Sequence, residues 1–386
     1  MSATGPAGSG AAPAAARRPL EGVKVVESSS YLTGPYASMM LADLGAEVIK
    51  VEPPGGDGFR AFGHQRQGWS ALWTSSNRGK RSIVLNLKDP DDLATMKQLV
   101  AAADVLVENW RPQVAARLGL GEDVVTAINP RLVRLSITGF GATGPLSGAP
   151  AFDSLIQGHT GMVDLLSASG HPDVAPYWVV DKVVATFGAQ AVLAALYQRE
   201  RTGVGSQVSL PMLDVMTYFN FPDMFQHRAF VADQTPWSPP FSPVVRTADG
   251  HIVITPVSGA QMSATLKALE RPDIKAELLV IKDPVRMVDT FYKRIAEVLV
   301  TRTSAHWLAL FESFDLPVAP VRRLEEHLQD PQVLHNALYH EVETPAGTMR
   351  AVRYPAAFDG ARFKPAGSPP RPDEHAAQIR AELAAT

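Results

Sequence analysis

Asp181 is the side chain of this sequence best suited to do chemistry. It follows the apolar run Tyr177-Trp178-Val179-Val180 and opens a long stretch rich in Ala and Leu, so it reads as a half-buried carboxylate at the start of a helix. Two uses fit that position. Aspartate is a favoured helix N-cap, accepting backbone N–H groups of the first turn. A carboxylate held near a helix N-terminus in a water-poor pocket can equally act as a covalent nucleophile. Two loops near strand ends add a second theme, one cationic (Asn77-Arg78-Gly79-Lys80-Arg81) and one polar and aromatic (Asn109-Trp110-Arg111-Pro112). Such a pair suits an anionic ligand with an aromatic ring, such as the nucleotide part of coenzyme A, with Arg and Lys on phosphate and Trp stacking. Ordinary solvated turn charges fit the same residues.

Other chemistries fall away. Gly139-Phe140-Gly141-Ala142-Thr143-Gly144 spells a dinucleotide-binding pattern after a strand, but Pro145, Gly148 and Pro150 follow, so no helix N-terminus opens where phosphates would sit. It reads as a turn. A zinc set of His335, His340 and Glu341 fails because a spacing of five residues puts the two imidazoles on different faces of a helix, so no metal is expected. The chain has no cysteine, which excludes thiolate nucleophiles, disulfides, Cys-ligated zinc and iron–sulfur clusters and fits a reducing cytoplasm. No G-x-S-x-G elbow occurs. The 36 Lys and Arg against 39 Asp and Glu give no basic field for nucleic acid. The longest apolar stretches are broken by charge, so no membrane span is expected.

Elements that could hold Asp181 and the two loops follow from periodicity. Residues 23–27, 47–51, 82–87, 104–107 and 132–137 are short β-branched runs that read as strands. Helices alternate with them at 35–44, 89–103 and around Val114 and Val124. This alternation predicts an α/β fold, a parallel sheet covered by helices on both faces, with ligands at the carboxyl ends of the strands. Helices are expected at about 152–166 and 182–201. A Pro- and aromatic-rich passage from Phe219 to Pro243 reads as a connector. Thr247-Ala248-Asp249-Gly250 is then a turn before the strand 252–255, which opens a mainly helical unit running to about Phe314.

The ordered motifs carry more. They run from Leu20-Glu-Gly-Val-Lys-Val-Val-Glu27 and Gly34-Pro35 through Ala42-Asp-Leu-Gly-Ala-Glu-Val-Ile-Lys-Val-Glu-Pro53 and Asn77-Arg-Gly-Lys-Arg-Ser82 to Ala103-Asp-Val-Leu-Val-Glu-Asn-Trp-Arg-Pro112. Arg117-Leu-Gly-Leu-Gly121, Asn129-Pro-Arg131, Thr138-Gly-Phe-Gly141 and Glu200-Arg-Thr-Gly-Val-Gly205 complete the series. From Leu20 to about Pro372 the chain resembles the class III CoA-transferases, the CaiB/BaiF family. The resemblance implies a Rossmann-like parallel-sheet large domain over 19–215, a linker over 216–245, a smaller α+β domain over 246–325 and a return to the large domain over 326–386. Residues 1–18, small and without aromatics, read as a disordered tail and not a signal peptide. It also implies two ring-like protomers interlocked as a homodimer.

On the same resemblance Asp181 is the nucleophile. It attacks an acyl-CoA to form a mixed anhydride, then carries CoA as a thioester until a carboxylic acid acceptor takes it. Coenzyme A and acyl-CoA enter as substrates, with no permanently bound cofactor. By position the family's CoA contacts fall on Ser30, Tyr31, Leu32 and Thr33, on Leu85 and Lys88, on Asn109, Trp110 and Arg117, and on Phe152. Leu32 replaces a glutamine of the formyl-CoA:oxalate enzymes, and their glycine-rich loop is absent from 237–242, Trp-Ser-Pro-Pro-Phe-Ser; both weigh against oxalate as acceptor. Two alternatives remain. The α-methylacyl-CoA racemases share the fold, but their catalytic histidine falls on Phe152, beside Asp153, and a phenyl ring carries no proton. A non-catalytic acyl-CoA-binding protein would have no need of Asp181.

Overall fold

The computed structural model describes residues 17–166, 171–232 and 242–385. Its contacts divide into a unit of residues 1–235 with 337–386 and a unit of residues 236–336.

The larger unit begins β1 (Lys24–Ser28), α1 (Thr33–Asp43), β2 (Glu47–Glu52). A two-residue hairpin, β3 (Gln65–Arg66) and β4 (Trp69–Ser70), leads to α2 (Ala71–Asn77) and β5 (Arg81–Val84). Then come α3 (Pro90–Ala102), β6 (Val105–Glu108), α4 (Pro112–Arg117), α5 (Glu122–Ile128) and β7 (Val133–Thr138). Local chemistry sets these bounds. Asp89 caps α3, accepting the N–H groups of Asp91 and Asp92, with Pro90 in the first turn. Gly45, at φ +108°, takes the left-handed step that ends α1.

After β7 the chain departs from expectation in three places. The helix expected over 152–166 is two, α6 (Asp153–His159) and α7 (Met162–Leu166), broken where Gly161 adopts φ +80°. The long helix α8 (Val179–Thr202) starts three residues earlier than periodicity suggests. A further strand, β8 (Ser206–Pro211), precedes α9 (Met212–Met224), so the connector begins later than its composition indicates. Gly205 is required before β8, since a Cβ there would lie 2.1 Å from the Leu132 carbonyl oxygen. By length and composition α8 would suit a bilayer. Its apolar face is instead core, with Val180, Val184, Ala185, Gly188, Ala189, Val192, Ala195 and Leu196 buried.

Six parallel strands form the main sheet in the order β5-β2-β1-β6-β7-β8. The chain winds outward from β1 to β5, then returns to β6 on the other side of β1, so the strand order reverses between β1 and β6. That reversal opens a crevice at their carboxyl ends, where a ligand binds in folds of this kind. One face of the sheet packs through Val25, Val105, Leu135 and Ile137 against α1 and α8; the other packs Val26, Ile83 and Leu106 against α3 and α5. Towards the carboxyl terminus lie a hairpin, β12 (Tyr339–Thr344) with β13 (Gly347–Val352), and α16 (Ala376–Ala384). His340 therefore sits on a strand, not on the helix assumed for a zinc set, and no cluster of metal-ligating side chains occurs among the described residues.

The smaller unit has its own antiparallel sheet, order β11-β10-β9, from β9 (Val244–Arg246), β10 (His251–Ile254) and β11 (Val318–Pro320). Four helices, α10 (Gly259–Ala268), α11 (Pro272–Leu279), α12 (Pro284–Leu299) and α13 (Ser304–Ser313), bury Phe291, Ile295, Leu299, Trp307 and Phe311 against it. Two short ones, α14 (Leu324–His327) and α15 (Pro331–His335), follow.

Candidate active site

The turn from β1 into α1 sits at the reversal point, and side chains from several elements shape it. Asn109, just past β6, donates from Nδ2 to the Ser30 carbonyl (2.9 Å) and accepts the Ser30 N–H on Oδ1 (3.1 Å). Tyr31 adopts φ +66°, a left-handed backbone uncommon for a residue with a side chain. Its N–H is held by Asp57 Oδ1 at 3.1 Å. Two residues on, in the first turn of α1, the Thr33 hydroxyl donates to Asp181 Oδ1.

Asp181 is not an N-cap. Trp178 occupies that position of α8, and Asp181 stands in the first turn as its third residue. Its own N–H is the group that is capped, by Asp153 Oδ2 at 3.0 Å. Asp153 is buried, and its other oxygen accepts Gln157 Nε2 at 2.6 Å. Gln157 in turn accepts the Ala175 N–H at 2.8 Å, tying down the chain ahead of α8. Each Asp153 oxygen thus holds a neighbouring donor, one on Gln157 and one in the first turn of α8. The Asp181 carboxyl is pushed up to about 6 by burial, with the Asp153 charge adding to the rise while the Thr33 hydroxyl and Lys182 oppose it.

Two adjoining clefts run along the carboxyl ends of the strands. One, of 530 Å³, is lined by Ser30, Tyr31, Thr33, Asn109, Trp110, Arg111, Phe152 and Asp181, among others. The second, of 390 Å³, shares Ser30, Trp110 and Val114 with it and continues past Pro53 to Leu85 and Lys88. An elongated ligand can therefore reach from Lys88 past Trp110 to Asp181. Leu85 contributes from the core, as its side chain is buried against Met96 and Leu99. Leu32 is turned away from both clefts and packs on Phe59 and Trp73. Arg117 lines neither cleft; it is exposed at the end of α4 beside Leu118, on the rim of the second, with its Nε donating to the Gln113 carbonyl. An aromatic ledge borders Asp181. The Tyr31 ring meets Phe59, Phe62 and Phe152 at 5.9–6.4 Å, and Phe59 meets Trp178 at 6.0 Å.

The cationic loop 77–81 has neither of its expected roles. Arg78 is buried and paired with Asp43 (2.7 Å). Lys80 is buried and donates to Glu27, Asn77 and the Pro35 carbonyl at 2.8–2.9 Å. Arg81 pairs with Glu47 and Glu382. These charges lie at or just before the start of β5, at the opposite end of the sheet from the clefts or beneath it, and they hold structure together. Sequence reading missed their partners. Glu27 and Lys50 are register neighbours on β1 and β2, both buried, joined at 2.9 Å. Lys50 also pairs with Asp57 at 3.0 Å, and Arg60 pairs with Glu52 at 2.6 Å. A signal was present: charged residues inside two apolar strand runs, one of each sign.

A family model described as CoA-transferase family III matches residues 20–376. The succinyl-CoA:glutarate CoA-transferase of Homo sapiens is 31% identical over 95% of this chain and 86% of its own length. Acetyl-CoA:oxalate CoA-transferase of Acetobacter aceti is 33% identical over 97% of this chain and 98% of its own length. The crystal structure of a CaiB/BaiF family protein from Brucella suis superposes with a TM-score of 0.82 at 28% identity, covering 95% of this chain and 100% of that one.

Proposed function

The chain belongs to CoA-transferase family III, enzymes that move CoA between an acyl-CoA and a carboxylic acid, and from that premise we propose that Asp181 carries the transferred group. The observation that supports it is a carboxylate in the cleft with one oxygen on the Thr33 hydroxyl. With its proton affinity raised to about 6, it remains mostly ionised near neutrality and is more nucleophilic than an ordinary aspartate. An Asp181 oxygen attacks the thioester carbonyl, forming a mixed anhydride and expelling CoA thiolate. The thiolate attacks the aspartyl carbonyl of that anhydride, releasing the donor acid and leaving an aspartyl-CoA thioester. The acceptor carboxylate attacks the same carbon, expelling thiolate again. Thiolate then takes the acceptor's acyl group and Asp181 is restored as carboxylate. Each step exchanges one acyl bond for another, so no oxidant and no external base is consumed.

The residues lining the two clefts support the site as the seat of CoA, with Trp110 stacking, Lys88 meeting phosphate from within and Arg117 from the rim, and the thioester end beside Asp181. A racemase course is disfavoured because Phe152 faces Asp181's cleft with a phenyl ring, and Asp181 is the lone carboxylate among the described residues lining it. Glutarate-sized dicarboxylates, as in one named relative, and apolar acids suited to the aromatic ledge are the acceptor classes to try, with oxalate, named in the other, as the expected poor acceptor. The same reading includes an interlocked homodimer, in which a partner copy would cover the strongly exposed Tyr197, Tyr218 and Phe221 on α8 and α9. A donor and acceptor screen read by mass spectrometry tests the reaction. New acyl-CoA formed with loss of the donor thioester is expected; CoA binding with no transfer to any acid would leave only an acyl-CoA-binding protein.

A further inference from the structure

The position of the Thr33 hydroxyl depends on the turn before it, and that turn is governed from below. Asp57 follows Pro53-Pro54-Gly55-Gly56 after β2 and is 2% exposed. Its Oδ1 accepts the N–H groups of Tyr31 (3.1 Å) and Phe59 (2.9 Å). Its Oδ2 faces Lys50 Nζ at 3.0 Å. Its own N–H donates to Glu52 Oε2 at 2.9 Å, and Glu52 is gripped by Arg60 and by the Ser82 hydroxyl. The carboxylate is thus located by groups on β2, β5 and the Phe59 turn, while one of its oxygens reaches up to the left-handed Tyr31. Leu32, the N-cap of α1, supplies no side-chain cap, so the start of the helix takes its place from the turn that precedes it.

We propose that Asp57 is a positioning residue for CoA transfer: it keeps Tyr31 left-handed and thereby sets the Thr33 hydroxyl on Asp181. This rests on Asp181 as the reacting carboxylate. The groups facing Asp181 are Thr33 from α1, Asp153 from α6 and Lys182 on its own helix. Of these, the Thr33 hydrogen bond favours the ionised form, so withdrawing it moves the acid limb of the rate profile to higher pH.

The test compares kcat/KM against pH for Thr33→Val, Asp57→Ala, the double variant and Asp57→Asn, with melting temperatures measured alongside. Thr33→Val and Asp57→Ala should each move the acid limb upward by about one pH unit or more and thereby lower kcat/KM near pH 6 about tenfold. The double variant should be no worse than the weaker single by more than about threefold, since both changes remove the same contact. Asp57→Asn keeps an oxygen for the two N–H groups and should hold the limb near its wild-type place. Asp57→Ser gives the same reading if the alanine variant folds poorly. An unmoved limb in folded Asp57→Ala or Asp57→Ser, or multiplying effects in the double variant, would overturn the proposal. Asp181→Asn, assayed in parallel, separates the two failures: full activity there removes the Asp181 reading, whereas an inactive Asp181→Asn with unmoved limbs removes the Asp57 assignment alone.

Discussion

Two carboxylates, Glu27 under the β1 turn and Asp181 above it, are both withdrawn from water, yet burial leads to opposite results. Burial pushes Glu27 upward, but Lys50, Lys80 and the Ser29 hydroxyl bring it down to about 2. Asp181 meets the same push with a hydroxyl and a second carboxylate nearby, and it rises to about 6. The number of countercharges, not depth, separates a carboxylate held ionised far into acid from one that keeps its proton until near neutrality. Between them Asp57 and Asn109 link the structural layer to the reactive one.

The comparison breaks first if the lower layer is dispensable. Glu27→Gln strands Lys50 and Lys80 beside a neutral group, so urea unfolding should show a loss of about 3–5 kcal/mol. Glu27 is depressed in the folded state, so its contribution is present above the ordinary value of 4.5 and is lost as pH falls towards 2. The variant should show a flatter acid profile. A loss below about 1 kcal/mol would place Glu27 among ordinary surface charges.

The upper layer should behave in reverse. Asp181→Asn keeps the side-chain shape but removes the carboxylate proposed to attack, so transfer should fall at least about a thousandfold, roughly 4 kcal/mol of barrier. Because the folded state holds the Asp181 proton more tightly than the unfolded chain, ionisation costs stability as pH rises from 3.8 through 6. The variant should therefore be as stable as wild type or more stable near pH 7, by up to about 3 kcal/mol with a matching rise in melting temperature, and the gain should be gone below about pH 4. Wild-type transfer should rise with pH through a midpoint of about 6. A variant with lowered melting temperature near neutrality would mean that Asp181 is a structural charge like Glu27.

Arg117 offers a third case, a charge neither buried nor facing the nucleophile. Arg117→Ala should leave melting unchanged and weaken CoA binding by about ten- to a hundredfold, read by calorimetry. Unchanged affinity would confine the CoA site to the two clefts and exclude their rim.

The sheet and its ligand end were legible because β-branched runs alternating with capped helices have few other solutions. β8 was not. Its Ser206-Gln-Val-Ser-Leu-Pro211 is short, holds one β-branched apolar residue and contains no apolar run. The early start of α8 was hidden because Val179 and Val180 suit strand and helix alike. Asp181 was legible as a candidate, but its surroundings were not, since Thr33, Asp57 and Asp153 lie far away in sequence and join it only through the crevice. The loop 77–81 misled because Lys and Arg beside Gly look solvated until Glu27 and Asp43 are seen beneath them. The 237–242 passage, apart from Ser242, lies outside the described residues.

The central claim is that Asp181 becomes covalently acylated during transfer. Enzyme incubated with acyl-CoA, quenched with hydroxylamine, digested and read by mass spectrometry should carry a hydroxamate on the peptide bearing Asp181, only when acyl-CoA is present and not in Asp181→Asn. Rapid transfer with Asp181 unmodified throughout, or a hydroxamate found on Asp153 instead, would contradict the account.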